Sequence, residues 1–414
     1  MRARRYQLSA VAIALVSVSL SLTSAHPNRQ SPPAEIERIL DGLLLGAVTP
    51  TPLLNESGQL WLAWVENNHI FVGRSDDYGN TLTTKVRVTN TSETIDSNGE
   101  ARPKIAIGKQ NEIYVAWTRR GKLPYTGDIR FSRSTDSGLT FTTPITVNDD
   151  ELPIGHRFES LGVNHRGEIF LVWIDKRDLE SARSRGERYD GAALYYTWSQ
   201  NNGQSFLPNK KIKDHVCECC RIALEFQDDG WPVFVWREIL TGSIRDHGVI
   251  RFTGLHTFSE INKVNHDNWK IDGCPHHGPG FALDNDGQYH MVWFTGEGPD
   301  GPGAFYARSS DQGKSFTPAR RVGSQSTFGH ADIEVIGDKV YIVWKERVED
   351  NAMGIFLMVS DDSGIQWSTP RLINKTSGRS DHPLLITDQT NIFLSWFTGD
   401  EGYQLTAITD SPIS

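Results

Sequence analysis

The chain has 414 residues, of which 38% are hydrophobic and 10% aromatic, and its formal net charge is −9. This length is ample for a large core, and the composition excludes collagen-like, coiled-coil and disordered classes. The acidic balance argues against a general nucleic-acid binder, because phosphate contacts need a basic surface. Twelve Trp and 18 Phe against 4 Met favour a β-rich fold. Four cysteines are too few to hold so long a chain together, so each needs a local explanation.

The first 25 residues have the pattern of a secretory signal peptide. Three arginines among the first five residues precede an apolar run from Leu8 to Leu22, and small residues ending at Ala25 follow. This run is shorter than the ~20 residues that span a bilayer, so a transmembrane anchor is the weaker interpretation. We therefore expect an exported protein, periplasmic or secreted, with a linker over 26–42 and a single domain over 43–414.

A short β-type run that ends in Trp recurs seven times, at intervals of 51–63 residues. The seven residues are Trp64, Trp117, Trp173, Trp236, Trp293, Trp344 and Trp396. This period fits a four-stranded propeller blade and is too long for helical repeats. The sequence predicts an all-β, seven-bladed β-propeller, with six blades as the alternative, in which each Trp lies in the core of a second strand. We expect a segment around Leu43 to Val48 to complete the last blade and close the ring.

A second motif, Ser-x-Asp-x-Gly-x-x-Phe/Trp, follows the predicted third strand in five of the repeats. The Asp or Asn accepts hydrogen bonds from turn amides, and the Gly adopts a left-handed conformation. The final aromatic residue fixes the turn to its blade, and in the first copy Leu82 takes its place. We interpret the acidic or amide residues of this motif as structural: Asp77, Asp136, Asn201, Asp311 and Asp362.

These turns resemble the Asp boxes of the BNR-repeat, sialidase-like β-propeller superfamily, and the resemblance runs from about residue 50 to the end of the chain. It implies the propeller fold more strongly than an activity, because Asp boxes also occur in propellers without glycoside chemistry. Sialidases have six blades, whereas this chain has seven Trp repeats. The chain therefore resembles a divergent member, distinguished by a Cys-x-Cys-Cys segment and a Cys-Pro-His-His segment.

Propeller geometry predicts that the Asp boxes lie on one face and that the segments leading into the first strands lie on the other, around a central funnel. All four cysteines and many histidines fall in these funnel segments. The predicted metal ligands are Cys217, Cys219, Cys220, Cys274, His276, His277, His330 and His382. Hydrogen-bonded caps at the strand starts are the alternative role for His156, His330 and His382.

The cysteine cluster has three interpretations. Thiolates and imidazoles at short spacing suit Zn or Cu, and Cu(I) is the natural partner of closely packed sulfur. Disulfides are the second interpretation, because exported chains meet an oxidising compartment, and Cys217 or Cys220 could pair with Cys274. A reactive thiol is the third.

The sialidase resemblance also implies an active site with three arginines that hold a substrate carboxylate, an acid and a Tyr nucleophile. Arg102, Arg157 and Arg221 precede first strands and are the candidates for the arginine cluster, and Glu238 is a candidate acid. The family's Phe/Tyr-Arg-Ile-Pro motif is absent. Tyr403 follows the seventh Trp run, which places it in a third strand away from the axis.

The sequence thus predicts an exported propeller that binds a transition metal, copper rather than zinc, at the funnel. The alternatives are an exo-acting glycoside hydrolase of sialidase type, and a carbohydrate- or protein-binding propeller with structural disulfides. The expected partner is a metal ion or a small-molecule or glycan ligand at the funnel face. We expect no nucleic acid, no membrane span and a monomer.

Overall fold

The computed structural model describes residues 44–348 and 352–409, so the predicted signal peptide and linker lie outside the described residues. The described chain folds into seven antiparallel sheets, each built from strands that are consecutive in sequence. One helix is present in these ranges, α1 (Arg177–Ser184), and none there is long and apolar enough to cross a membrane.

Each sheet is a blade, and blades 1 to 3 have four strands apiece. Blade 1 comprises β1 (Val48–Leu54), β2 (Leu60–Glu66), β3 (His69–Ser75) and β4 (Thr84–Arg87). Blade 2 comprises β5 (Lys104–Ile107), β6 (Ile113–Arg120), β7 (Gly127–Ser134) and β8 (Ile145–Thr146). Blade 3 comprises β9 (His156–Val163), β10 (Ile169–Asp175), β11 (Ala192–Ser199) and β12 (Lys210–Val216).

The remaining blades vary in their outer strands. Blade 4 comprises β13 (Ala223–Phe226), β14 (Pro232–Arg237), β15 (His247–Gly254), β16 (Thr257–Phe258) and β17 (Asn262–Lys263). Blade 5 comprises β18 (Gly280–Leu283), β19 (Tyr289–Thr295), β20 (Gly303–Ser309) and β21 (Arg320–Val322). Blade 6 comprises β22 (Asp332–Ile336), β23 (Lys339–Arg347), β24 (Met353–Ser360) and β25 (Arg371–Thr376). Blade 7 comprises β26 (Leu384–Thr387), β27 (Ile392–Thr398) and β28 (Gly402–Ile408).

The first strands of the seven blades contact one another in sequence order, and β26 of blade 7 contacts β1 of blade 1. The ring is therefore closed, which confirms the seven-bladed propeller and excludes the six-bladed alternative. The expectation that the segment around Leu43 to Val48 completes the last blade is wrong for its described part. Val48 begins the inner strand of blade 1, and blade 7 has three strands in the described chain. Leu44 instead packs with Tyr403 of blade 7, so side-chain packing joins the two blades there.

The seven repeated Trp side chains are all fully buried, as the repeat predicted. Their strands are apolar on both sides because each blade is sandwiched between two neighbours. Most of the indoles donate to a carboxylate at the funnel end of the blade. The Nε1–oxygen distances are 3.0 Å from Trp64 to Glu66, 2.9 Å from Trp173 to Asp175 and 2.8 Å from Trp344 to Glu346. An acid two residues after the Trp is thus part of the blade scaffold.

The Asp boxes form the hydrogen-bonded turns that the motif predicts. In the fourth copy, the Asp311 carboxylate accepts the Ser315 amide at 2.9 Å and the Ser309 hydroxyl at 2.7 Å. The box glycine, Gly313, has φ 80° and donates its amide to the Ser309 hydroxyl at 2.9 Å. Asn201 accepts the Ser205 amide at 3.1 Å, so an amide side chain supports the same turn.

A buried ion pair connects three blades beside the point of closure. The Arg102 guanidinium, which precedes β5, donates to the Pro50 carbonyl at 3.1 Å and to the Asp381 carboxylate at 2.7 Å. The two side chains are 4% and 8% exposed. The Lys345 ammonium donates to the Ser380 and Asp381 carbonyls at 3.1 and 3.2 Å, so it holds the same segment from blade 6.

We expect Arg102→Ala to lower the free energy of unfolding by about 3–5 kcal/mol, because it leaves Asp381 buried without its partner. Chemical denaturation measures the change. The matched control is Arg183→Ala, which removes an exposed pair with Glu180 and is expected to cost less than about 1 kcal/mol. Equal losses in the two variants would contradict a closing role for Arg102. The double variant with Asp381→Asn should recover part of the loss.

Candidate metal centre at the funnel mouth

The Cys-x-Cys-Cys segment forms the turn between the outer strand of blade 3 and the inner strand of blade 4. The Cys217 amide donates to the Arg237 carbonyl at 2.8 Å, which fixes the start of the turn to the end of β14. Cys217, Cys219 and Cys220 are 1%, 3% and 2% exposed. Their Sγ atoms form a triangle, with separations of 3.6 Å (217 to 219), 3.8 Å (217 to 220) and 3.9 Å (219 to 220).

Cys217 is the sulfur of this triangle that is favoured as a thiolate. Hydrogen bonds from the Cys219 and Cys220 thiols hold the pKa of Cys217 well below its usual range, and the charges of Arg237 and Arg245 act in the same direction. The Arg245 Nη1 atom lies 3.4 Å from the Cys217 Sγ. Burial raises the pKa of Cys220, so without a metal this thiol keeps its proton.

The segment before β18 brings a second pair of ligand types to the same place. Cys274 and His276 are exposed, and the Cys274 sulfur, a His276 ring nitrogen and the Cys219 sulfur lie within 4.8 Å of one another. His276 has φ 54°, a left-handed conformation that few residues other than glycine adopt. Cys219 therefore belongs to two groups, one buried and one open to solvent.

His330 and His382 lie together, but they group with Glu100 rather than with sulfur. Their rings stack with centroids 3.6 Å apart, and the His277 ring lies 4.5 Å from the His330 ring. Burial lowers the pKa of His277 to about 3 and lowers the pKa of His382 well below its usual value, so both rings are neutral. The predicted ligands thus divide into separate groups, and whether they bind metal remains a prediction.

The sequence did not predict Glu100 as a site residue, although it precedes a first strand as the other funnel residues do. Its Oε2 atom accepts the Arg221 and Gly278 amides, each at 2.8 Å. Burial opposes the ionisation of Glu100, but contact with His330 and the charge of Arg221 outweigh it and lower the pKa to about 2. The lack of any motif around Glu100 explains why only the fold reveals it.

All four cysteines are free thiols in the structure. The shortest sulfur separation in the triangle, 3.6 Å, is far longer than the roughly 2.05 Å of a disulfide bond. Cys274 groups with Cys219 rather than with Cys217 or Cys220, the two residues expected to pair with it.

Each of the three predicted substrate arginines has partners inside the protein. Arg102 is paired with Asp381, and Arg221 donates to the Pro279 and Ala331 carbonyls at 3.0 and 2.8 Å. The Arg157 Nε atom donates to Asp96 at 2.6 Å. These contacts use donors that a carboxylate clamp needs, and Arg157 also lines a cavity of about 390 Å³. The catalytic roles remain untested.

Glu238 lies two residues after Trp236. Three other blades carry at this position the acid that accepts a hydrogen bond from the indole N–H. Burial raises the pKa of Glu238, which is the direction that general-acid catalysis needs. Tyr403 lies in β28, a third strand, as expected, and its hydroxyl accepts the Ser395 hydroxyl at 3.0 Å in the core.

Comparisons with known proteins support the fold. No family model and no curated protein matches the chain. Among solved structures, a protein of unknown function from Dyadobacter fermentans is 15% identical, with a TM-score of 0.51 over 76% of this chain and 96% of that chain. The Hadza microbial sialidase Hz136 is 15% identical, with a TM-score of 0.52 over 86% of this chain and 74% of that chain. An ulvan lyase of the PL25 polysaccharide lyase family is 12% identical, with a TM-score of 0.53 over 91% of this chain and 96% of that chain. At these identities, the likeness shows a shared propeller fold.

His156 is held as a structural group, which favours its role as a strand cap. Its Nδ1 atom bonds the Gly127 carbonyl at 2.8 Å, and its Nε2 atom lies 3.1 Å from Asp150 and 3.7 Å from Asp175. Burial lowers the pKa of His156, but the two carboxylates outweigh burial and raise it, while Arg177 neutralises part of their charge.

We expect His156→Gln to remove a pH-dependent part of the stability. A raised pKa in the folded state stabilises the protein fully below the unfolded value of about 6.5, and this contribution is lost as the pH rises through the folded pKa. Denaturation of both proteins from pH 5 to 9 measures the difference, which should be largest at acidic pH. Parallel pH profiles for the two proteins would contradict this prediction.

Proposed function

We propose that the protein is an exported β-propeller that binds a transition-metal ion, copper in preference to zinc, through Cys217, Cys219 and Cys220. The observation that carries the proposal is the sulfur triangle, with sides of 3.6, 3.8 and 3.9 Å. Sulfur ligands about 2.3 Å from one ion are about 3.8 Å apart in a tetrahedral site and about 4.0 Å apart in a trigonal one. The triangle therefore fits one ion without rearrangement of the turn.

The charges around the triangle suit a thiolate complex of a soft cation. Three thiolates and one Cu(I) ion carry a net charge of about −2, and Arg237 and Arg245 supply two positive charges beside Cys217. Soft sulfur ligands select Cu(I) over harder ions. Burial of the three cysteines keeps water away from the ion, while the exposed pair Cys274 and His276 shares Cys219 with the buried triangle and offers a route for metal from solvent.

We expect wild-type protein, purified from the exported fraction without chelator, to contain copper, and Cys217→Ser to lose it. The affinity for Cu(I), measured by competition with a chromophoric chelator, should fall by more than the roughly 10–100-fold that loss of an outer-shell group costs. Cys274→Ser should cost less, because its thiol is outside the buried triangle. Equal Cu(I) affinity in wild type and Cys217→Ser would contradict the proposal.

A thiol count under denaturing conditions separates this proposal from the disulfide alternative. Metal-stripped wild-type protein should show four reactive thiols. A count of zero would show that the cysteines form bridges and would exclude a thiolate site.

A carbohydrate-active propeller is the second candidate, and a positively charged cleft between blades 2 and 3 favours it. Arg120, Lys122, Tyr125 and Arg157 line a cavity of about 390 Å³. Asp96 bonds both arginines and so neutralises one of their two charges. The Tyr125 ring is 76% exposed, which suits stacking on a sugar. Such a cleft fits an acidic sugar, and the sialidase and the lyase with the same fold act on carbohydrate.

If this second function holds, wild-type protein should cleave a fluorogenic sialoside, and Arg157→Ala should abolish the turnover because it removes a guanidinium from the cleft. Cys217→Ser should keep the activity. Arg188→Ala, which changes an exposed arginine outside the cleft, is the matched control. Wild-type turnover no greater than that of the blank would exclude the sialidase reaction.

A further inference from the structure

Four buried polar atoms at the funnel axis have no hydrogen-bond partner among the described residues. They are Glu100 Oε1, His277 Nδ1, His330 Nδ1 and His382 Nδ1. Buried polar groups in folded proteins are nearly always paired, so four such atoms beside one another are candidate ligand atoms for a shared partner. A carboxylate oxygen has two lone pairs and can accept at most two imidazole N–H groups, so at least one of the three ring nitrogens would still lack a partner.

The geometry of these atoms suits a cation. Glu100 Oε1 lies 3.5 Å from His330 Nδ1 and 3.9 Å from His382 Nδ1. Nitrogen and oxygen ligands about 2.1 Å from one ion are about 3.0–3.4 Å apart, so the three atoms must approach one another by less than about 1 Å. The His330 and His382 rings, which stack with centroids 3.6 Å apart, must also turn out of the stack to direct both nitrogens at one ion. The Glu100 carboxylate is already fixed by the two amides that bond its other oxygen.

Two glycines make room for the imidazoles. A Cβ atom at Gly99 would lie 2.1–2.3 Å from three atoms of the His382 ring. A Cβ atom at Gly329 would lie 2.8 Å from His277 Nδ1. The backbone on both sides of the cluster is therefore shaped to the rings, and a larger residue at either position would displace them.

We propose that Glu100, His330 and His382 form a second metal centre, distinct from the sulfur triangle, that takes a divalent first-row transition ion such as Zn²⁺ or Fe²⁺. Two imidazoles and one carboxylate are borderline-hard ligands, and this set leaves coordination positions open. The His277 ring lies beside the centre, with its centroid 4.5 Å from that of the His330 ring. The ligand atoms themselves are buried, while the His330 and His382 side chains are 20% and 12% exposed, so the rings connect the centre to solvent.

The two centres are neighbours in the fold but independent in chemistry. Arg221 follows Cys220 directly, and its amide bonds the Glu100 carboxylate, so one residue separates the sulfur turn from the second centre. The sulfur triangle is fully buried and soft, whereas the second centre has partly exposed imidazole rings and is built from nitrogen and oxygen. Loss of either set of ligands should leave the other set in place.

Anaerobic titration of metal-free, full-length protein with Co²⁺ tests the second centre, because sulfur ligands give cobalt an intense charge-transfer band that nitrogen and oxygen ligands do not. Wild type should bind two equivalents. Cys219→Ser, which removes the sulfur shared by the triangle and by the group of Cys274 and His276, should bind one without the charge-transfer band. Glu100→Gln should bind one with it. The side-chain amide introduced by Glu100→Gln keeps a carbonyl oxygen for the two backbone amides, and the control His165→Ala should still bind two.

Wild-type protein alone also decides the question, in case a variant fails to fold. After the sulfur triangle is filled with Cu(I), the protein should bind one further Co²⁺ ion without sulfur charge transfer. Absence of that ion would overturn the second centre, as would two-equivalent binding by both Glu100→Gln and His382→Ala. If the copper proposal fails and one Co²⁺ ion still binds without sulfur charge transfer in wild type, the second centre stands alone.

Discussion

Closure of the ring at its inner edge is the constraint on which the rest of this structure depends. The seven first strands contact one another around the axis, and the last blade meets the first by packing. Buried and half-buried cations reinforce this edge by donating to carbonyls of neighbouring blades. Arg102 reaches blades 1 and 7, and Arg221 reaches the segments before blades 5 and 6. Because charged donors make strong hydrogen bonds in a desolvated site, these contacts hold the funnel segments rigid.

The same closure brings the candidate ligands together. Cysteines and histidines from the segments before blades 4 to 7 meet at one mouth, although more than 160 residues separate Cys217 from His382. A further arginine, Arg237, donates to the His277 and Phe294 carbonyls, each at 2.8 Å, and its charge also acts on Cys217. Scaffold and site therefore share residues, so the arginines that the sialidase resemblance suggested for substrate have structural partners in this chain.

The site combines features that favour metal over glycoside chemistry at the axis. A sugar carboxylate needs free guanidinium donors, whereas those of Arg102 and Arg221 point at carbonyls and a buried acid. Three imidazole nitrogens and one carboxylate oxygen are buried there without a partner among the described residues, as is the Arg102 Nε atom. The positive cleft beside Arg157 shares no lining residue with this cluster. A carbohydrate function and a metal function are therefore compatible on the same funnel face.

The sequence by itself determined the seven repeats, the second strands and the Asp-box turns, because these depend on local patterns that recur along the chain. It left six blades as an alternative, which the closed ring of seven sheets excluded. It also identified Cys217, Cys219 and Cys220 as a cluster, since these three lie within four residues of one another. Only the tertiary structure decided how the ligands divide: His330 and His382 face Glu100, while Cys274 and His276 face Cys219. The bonds of Glu100 to the Arg221 and Gly278 amides and of Arg102 to Asp381 were equally hidden, because they join residues 121 to 279 positions apart. Such contacts exist only once ring closure fixes the distance between blades, and no local pattern encodes that distance.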